Sequence, residues 1–339
     1  MNIIILGAAG FIGTNLTARL AADPGNRIVA VDEEPGYFHG DVDFPNVEKK
    51  AVKFDRHTDF QSLLAGQEQV YHLVSTNNPA SSNRDVEHEI TDNIEISVRI
   101  LEACVSNRIR KIIFLSSGGT VYGKGTAFPI REDAAANPIT TYGIQKLTVE
   151  KLLYLYHYVH GLDYAVIRLS NPYGPYQRPD GRLGVVTTFI YKALRGETLM
   201  VYGDGSIIRD YIYIADAVTG IIRIAQGSRE DKVFNLGSGK GVSIRELISV
   251  IETVAGVPVA VAYLEKRSVD VPVSYLDISR YERNFGPLSL RPLEEGIRLT
   301  IDYFEKEGYI KHIKQDASAD LCQKENRKHA KGISRNSCI

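Results

Sequence analysis

Tyr142 and Lys146 stand four residues apart, and residues 142–159 carry a helical pattern. That spacing puts both side chains on one helix face. An ammonium beside a phenol favours the phenolate and draws the tyrosine down from its usual value of about 10. The pair could serve as a general base toward a hydroxyl. Upstream, Ser116-Ser117-Gly118-Gly119-Thr120-Val121-Tyr122-Gly123 closes a β-branched run. A hydroxyl there could bond the oxygen that loses its proton. A third group opens the chain. Residues 3–6 lead into Gly7-Ala8-Ala9-Gly10-Phe11-Ile12-Gly13, and a helical pattern follows. Glycines so spaced between strand and helix allow a tight turn and let backbone N–H groups approach a pyrophosphate. The second strand ends at Asp32, 19 residues beyond Gly13. A carboxylate at that point accepts from ribose hydroxyls and repels a 2′-phosphate. Glu33 and Glu34 add to the repulsion, so NAD is expected and not NADP.

These groups need a scaffold. Nearly continuous apolar runs at 3–6, 28–31, 52–54, 70–73, 112–115 and 165–169 predict strands buried on both faces, as in a parallel sheet. Helical patterns at 11–22, 60–64, 89–105 and 142–159 lie between them. The alternation predicts an α/β fold with a doubly wound parallel Rossmann sheet. Beyond Asn171 comes a Pro/Gly-rich loop, then a helix at 185–195, a strand at 199–201 and the turn Gly203-Asp204-Gly205. Residues 211–214 and 233–236 read as strands, 244–255 and 293–304 as helices. The expected division is a dinucleotide-binding domain over 1–171 with a return segment near 211–236. A smaller interleaved α/β lobe, 172–210 and 237–311, would take the substrate. Residues 312–339 are polar and aperiodic, and read as a tail with no fold of its own.

Composition narrows the function. The 339 residues carry 40 Lys+Arg against 41 Asp+Glu, so no basic field exists for non-specific nucleic-acid binding. Three cysteines, Cys104, Cys322 and Cys338, are too few and too scattered for a disulfide framework or a zinc site. His157 and His160 have no third ligand near them in sequence, so no metal is expected. No run reaches the roughly 18 apolar residues of a membrane span, and the first residues lack a signal-peptide pattern. A cytoplasmic enzyme is the expectation.

Together, Gly7/Gly10/Gly13, Asp32, Ser117 and Tyr142/Lys146 resemble the extended short-chain dehydrogenase/reductase family. Within it the chain is most similar to NAD-dependent nucleotide-sugar 4-epimerases of the UDP-glucose/UDP-N-acetylglucosamine group. Asp92-Asn93-Ile94, Arg168-Leu169-Ser170-Asn171-Pro172, Arg209-Asp210-Tyr211-Ile212 and Arg267-Ser268-Val269-Asp270 extend the likeness over roughly residues 1–310. The resemblance implies a cycle of oxidation and re-reduction at C4 of a UDP-sugar, with Ser117, Tyr142 and Lys146 catalytic. It implies that Gly7, Gly10, Phe11, Ile12, Gly13, Asp32, Asp55, Arg56, Leu73, Val74, Ser75, Asn93 and Ser116 hold NAD, together with Tyr142 and Lys146. Asn171 would touch the sugar nucleotide, and Met200, Val201 and Tyr202 would flank uracil or ribose. Arg209, Arg267 and Asp270 would bind diphosphate and ribose, as forked guanidinium groups suit phosphate oxygens.

Two departures matter. His72-Leu73-Val74-Ser75 replaces the family's usual H-x-A-A or H-x-A-G. The hydroxyl before Val121-Tyr122-Gly123 is Ser117 by its 25-residue distance from Tyr142, whereas counting back from Tyr122 reaches Gly118, and Thr120 is the fallback. Related dehydratases carry Asp-Glu where this chain has Gly118-Gly119. Decarboxylases carry a Glu in that segment and two-centre epimerases a Cys, both missing here. Four residues past Asp270, where a Tyr marks the glucose-only type, stands Ser274. A small residue implies room for a 2-acetamido group and favours UDP-GlcNAc/UDP-GalNAc, with UDP-Glc/UDP-Gal accepted as well. A one-residue slip would put Tyr275 there instead. The helices at 89–105 and 142–159 are those that family members pair as a four-helix bundle, which implies a homodimer. Other readings are a 4-ketoreductase of a nucleotide deoxysugar and a non-catalytic dinucleotide sensor.

Overall fold

The structure is a computed structural model that describes residues 1–33, 43–75, 83, 85–125, 127–179, 184–267 and 270–310. Its first half alternates β1 (Asn2–Leu6), α1 (Phe11–Ala21), β2 (Arg27–Asp32), β3 (Val47–Ala51), α2 (Phe60–Leu63), β4 (Gln69–His72), α3 (Val86–Ser106), β5 (Lys111–Ser117), α4 (Thr141–His160) and β6 (Tyr164–Leu169). The second half adds β7 (Asn171–Tyr173), α5 (Val185–Leu194), β8 (Leu199–Tyr202), β9 (Ile208–Arg209), β10 (Tyr211–Tyr213), α6 (Ile214–Gln226) and β11 (Val233–Leu236). It closes with β12 (Val242–Ser243), α7 (Ile244–Ala255), β13 (Val261–Leu264), β14 (Val273–Ser274), α8 (Ser279–Phe285) and α9 (Leu293–Lys306).

Seven strands form the central sheet in the order β3-β2-β1-β4-β5-β6-β11, and every neighbouring pair is parallel. This is the doubly wound sheet expected from sequence. Because side chains alternate along a strand, Ile3 and Ile5 join one apolar layer with Leu16, Leu20, Ile214 and Ile221 of α1 and α6. Ile4 and Leu6 join the other layer, with Ile100, Val149 and Leu153 of α3 and α4. A third core gathers Ile190, Leu199, Leu247, Ile251 and Phe304 from the second half of the chain.

Two of the expected strands differ from the sequence reading. The third strand is Val47–Ala51, not 52–54. Its Val-Glu-Lys-Lys-Ala run lies at the sheet edge, partly exposed along its length, so it lacks the apolar signature of an interior strand. Phe54 instead turns inward and stacks on Phe60, with ring centroids 6.4 Å apart. Residues 211–214 split: β10 ends at Tyr213 and pairs with β7 outside the central sheet, and Ile214 begins α6. The tail at 312–339 lies outside the described residues.

Candidate active site

The glycine loop is pinned at β2. Gly7 and Ala8 donate their backbone N–H to the Val31 carbonyl at 2.9 and 3.0 Å, and Ala9 N donates to Asp32 Oδ2 at 2.9 Å. Asp32 therefore also anchors the turn, a role its spacing did not reveal. Its Oδ1 accepts from Glu33 N at 2.8 Å. Gly7 has φ +89°, and a Cβ there would press on Leu73 and Val74 at 3.2 Å. A Cβ on Gly13 would overlap the Gly7 carbonyl oxygen. Only glycine fits these positions, and the backbone they leave bare sits at the N-terminus of α1. That first turn, with Phe11 and Ile12, holds no acidic residue. A bare, positive helix end beside Asp32 matches a dinucleotide's pyrophosphate and ribose.

Further out, Asp55 and Arg56 border a cleft of about 720 Å³ with Glu33, Thr91, Asp92 and Glu95. The His57 backbone N–H on Asp55 holds its carboxyl below the usual carboxylate range. Arg56 Nε donates to His57 Nε2 at 3.3 Å. Ser75 is exposed. Two expected cofactor residues turn elsewhere with their side chains. Asn93 Nδ2 donates to Glu89 O within its own helix at 2.9 Å. Ser116 Oγ donates to Glu150 Oε1 at 2.5 Å, in the buried pair Glu150 makes with Arg168.

Tyr142 lies in the first turn of α4. The N-cap Thr140 fixes that turn, its Oγ1 accepting from Gly143 N at 3.1 Å. Lys146 Nζ sits 5.6 Å from the centroid of the Tyr142 ring and donates to Leu115 O at 2.9 Å. The helix therefore brings the pair together at the C-terminal end of β5, beside half-buried Ser117. Thr120 Oγ1 is buried with no hydrogen-bond partner, and the Thr120 carbonyl packs where a Gly143 Cβ would stand, 2.9 Å away.

The electrostatics differ from the sequence expectation. Burial pushes Tyr142 up to about 12 and draws Lys146 down to about 8, with Glu150 pulling Lys146 back up. Desolvation of both groups outweighs their mutual effect. The chain's own groups thus leave Tyr142 protonated near neutral pH, and a further positive charge is needed to make it a base. His72 lies below, drawn down to about 3 by burial and by Lys146. Its Nε2 bonds Ser97 Oγ at 3.0 Å.

A second cleft, about 490 Å³, gathers Asn171, Met200, Val201, Tyr202, Arg209, Arg267 and Asp270 with residues of α5. Arg267 donates to both oxygens of Asp270 at 3.0 Å, and its guanidinium lies 4.2 Å from the Tyr202 ring centroid. Burial draws Arg209 below its usual value. Its Nη1 donates to the carbonyl of Ile208 at 2.8 Å. Two guanidinium groups near one carboxylate leave an excess of positive charge that suits a diphosphate.

Asn171 joins the two regions. It lines the second cleft, and its Oδ1 lies 4.0 Å from the Cβ that Gly119 lacks. Ser274 is buried and in register with Arg209 across β9 and β14, so both side chains project to one face. Tyr275 projects to the other face, where its ring stacks on Phe128 at 5.7 Å.

The family model for the NAD dependent epimerase/dehydratase family matches residues 3–237. The chain belongs to that family. Its cofactor is NAD, and the glycine cradle and Asp32 fit it. A UDP-glucose 4-epimerase of Mycolicibacterium smegmatis is 35% identical over 309 residues, covering 90% of this chain and 98% of that protein. The structure of a Thermotoga maritima UDP-glucose 4-epimerase with UDP-glucose superposes with a TM-score of 0.85 at 32% identity, covering 91% of this chain and 99% of the other. A Bacillus cereus UDP-glucuronic acid 4-epimerase in complex with UDP-glucuronic acid and NAD gives 0.83 at 27% identity, covering 91% and 100%.

Two buried carboxylates beside the site, Glu150 and Asp210, escaped the sequence reading. Glu150 continues the four-residue stripe Tyr142, Lys146, Glu150 down one helix face, a signal that the spacing carried. Asp210 was quoted in a motif without a role. Its carboxylate accepts from Ser238 N and Oγ, both at 2.7 Å, and from Leu276 N at 3.2 Å. Its carbonyl accepts from Asn171 Nδ2 at 2.8 Å. No local sequence pattern announces a contact spanning 66 residues.

Proposed function

We propose that this chain inverts C4 of a UDP-sugar, with UDP-GlcNAc/UDP-GalNAc the favoured pair and UDP-Glc/UDP-Gal also accepted. One observation carries the reading: Asn171 lines the Arg209–Arg267 cleft and turns its Oδ1 toward Gly119, on the loop that follows the end of β5 to which Lys146 bonds, so a sugar near the base can hang from a diphosphate held by arginines. The UDP-glucose and UDP-glucuronic acid 4-epimerases described above support this reading.

Bound NAD supplies a reversible hydride acceptor for C4. Gly7, Gly10, Phe11, Ile12 and Gly13 hold its pyrophosphate, Asp32 its ribose, and Asp55 and Arg56 flank the adenine. Tyr142 takes the proton from O4 once positive charge beside it lowers its pKa, and returns the proton later. Lys146 supplies part of that charge, and Ser117 orients O4, with Thr120 behind it. Arg209, Arg267 and Asp270 hold diphosphate and ribose while Met200, Val201 and Tyr202 flank the base. The 2-acetamido preference rests on Ser274: it shares a face with Arg209, whereas Tyr275 stacks on Phe128 away from that face.

The proposal includes a homodimer. Tyr154, Leu155, Tyr158 and Val159 are exposed along α4, which packs on α3, and a matching face on a second copy would bury them. It also includes a cytoplasmic setting, in keeping with a free, buried Cys104.

The test is incubation with UDP-GlcNAc or UDP-Glc without added cofactor, with the C4 configuration read by proton NMR. UDP-GalNAc and UDP-Gal are the expected products. Conversion of UDP-Glc alone would remove the Ser274 argument, and conversion of neither would refute the epimerase reading.

A further inference from the structure

Glu89, in the first turn of α3, grips α4 at two points. Its carboxylate accepts from the Thr141 hydroxyl, and its carbonyl oxygen accepts from Gln145 Nε2 at 2.6 Å. Thr141 and Gln145 are buried, and each immediately precedes a member of the Tyr142–Lys146 pair. They stand one helical turn apart, so they form a stripe alongside that pair. The helix that carries the base is thus held from α3 as well as from β5, where Lys146 bonds the Leu115 carbonyl.

Asn83 completes the clasp. Its Oδ1 accepts from Thr141 N at 2.8 Å. Its own N–H donates to Thr141 Oγ1 at 3.0 Å and to Glu89 Oε2 at 3.2 Å. The Asn83 backbone is left-handed, with φ +71°, a conformation that asparagine tolerates better than most residues. Thr141 opens α4, and its N–H is one of those a helix leaves without an internal partner. Asn83 satisfies it from outside the helix. The first turn of α4 holds no acidic residue of its own. Glu89 brings a carboxylate to it from α3, where a negative charge stabilises the positive helix end.

A general base must stay within hydrogen-bond reach of the proton it takes. Tyr142 is the second residue of α4, and helix ends fray. The bond from Lys146 to β5 acts a full turn further in. We propose that Glu89 is a positioning residue for Tyr142: by holding Thr141 and Gln145 it keeps the first turn of α4, and with it the Tyr142 hydroxyl, in place to take the O4 proton. The inference rests on the C4-epimerase reading above. Glu89 is not among the residues of the Arg209–Arg267 cleft. Loss of its carboxylate therefore leaves nucleotide binding intact and slows proton transfer.

The test compares the wild-type holoenzyme with Glu89→Ala, Glu89→Gln, Thr141→Val, Thr141→Ser and the Glu89→Ala/Thr141→Val double variant, on UDP-Glc and UDP-GlcNAc. Turnover is followed by proton NMR, UDP affinity by calorimetry and folding by circular dichroism. Glu89→Ala and Thr141→Val should each lower kcat by about ten- to a hundredfold, the scale of a misplaced catalytic group. KM and UDP affinity should stay within about twofold. Glu89→Gln and Thr141→Ser keep an oxygen at each end of the bond, and should hold kcat within about threefold of wild type. The double variant should be no slower than the slower single one, since both remove the same contact. Should Glu89→Ala fail to fold, Thr141→Val and its serine counterpart carry the comparison. Wild-type protein inactive on both sugars would defeat the epimerase reading, and the role of Glu89 with it. With active wild type, unaltered kcat in folded Glu89→Ala or in Thr141→Val would overturn the proposal. So would UDP affinity falling in step with kcat, or losses that multiply in the double variant, because either would mark a general loosening of the fold.

Discussion

Glu150→Ala tests whether the buried charge beneath the site both holds the fold and sets the state of Lys146. Arg168 Nε donates to the two Glu150 oxygens at 3.1 and 3.2 Å, and Nη2 donates to Oε2 at 2.7 Å. The two side chains are 7% and 4% exposed. Removing the carboxylate strands a desolvated guanidinium whose other partners are the Tyr122 hydroxyl and the Glu132 carbonyl. Breaking such a pair from one side costs about 3–5 kcal/mol. A folded body of about 310 residues unfolds with an entropy of roughly 0.65 kcal/mol/K, so the thermal midpoint should fall by about 5–8 °C. The variant also loses the charge that raises Lys146, which burial already draws down to about 8. Lys146 then loses its proton at a lower pH, and the alkaline limb of the kcat profile moves to lower pH. Calorimetry and a pH–rate profile read the two effects, with Glu150→Gln as the isosteric companion. A midpoint shift under about 2 °C, or an alkaline limb that stays or moves up, would refute the argument.

Tyr142→Phe should lower turnover by about 10²–10⁴-fold while UDP affinity, measured by calorimetry, stays unchanged. Arg209→Ala removes one of two guanidinium groups from the diphosphate cleft, and UDP affinity should drop by about tenfold or more. Ser274→Tyr should abolish turnover of UDP-GlcNAc and preserve that of UDP-Glc, read by the same NMR assay. In protein stripped of nucleotide, Lys146 is charged both folded and unfolded below about pH 8 and carries its full burial penalty there. The penalty is relieved as pH rises from the folded value of about 8 toward the unfolded 10.5. Wild-type stability should therefore gain over that window relative to Lys146→Met, as followed by denaturant titration.

The sequence disclosed whatever local pattern controls. Interior strands such as Lys111–Ser117 and Tyr164–Leu169 are buried on both faces and read as apolar runs. The glycine turn, Asp32 and the Tyr142/Lys146 pair are set by spacing along one strand-turn-helix unit or one helix face. Edge strand β3 stayed hidden because half-exposed Lys and Glu residues mask its pattern. In helix α6, Ala217, Val218, Ile221, Ile224 and Ala225 recur at helical spacing, but the strand-like Tyr211-Ile212-Tyr213 runs into it without a break and masks its start. The direction of the Tyr142 shift depends on burial, which neighbouring residues cannot report. The turning of Ser116 toward Glu150 and the hub at Asp210 depend on contacts across tens of residues.

The order of strands also governs how the molecule can be cut. Strand β11 enters the central sheet beside β6 only after the chain has built α5, β8, β9 and β10. A fragment ending near residue 171 would expose the β6 backbone as an unpaired rim carrying Val166, Ile167 and Leu169, a template for self-association. Grafting residues 1–171 onto another protein thus calls for β11 as well. In the intact chain, unfolding of the second half takes β11 with it and strips that rim at the same moment, so heating should give one unfolding event and not two.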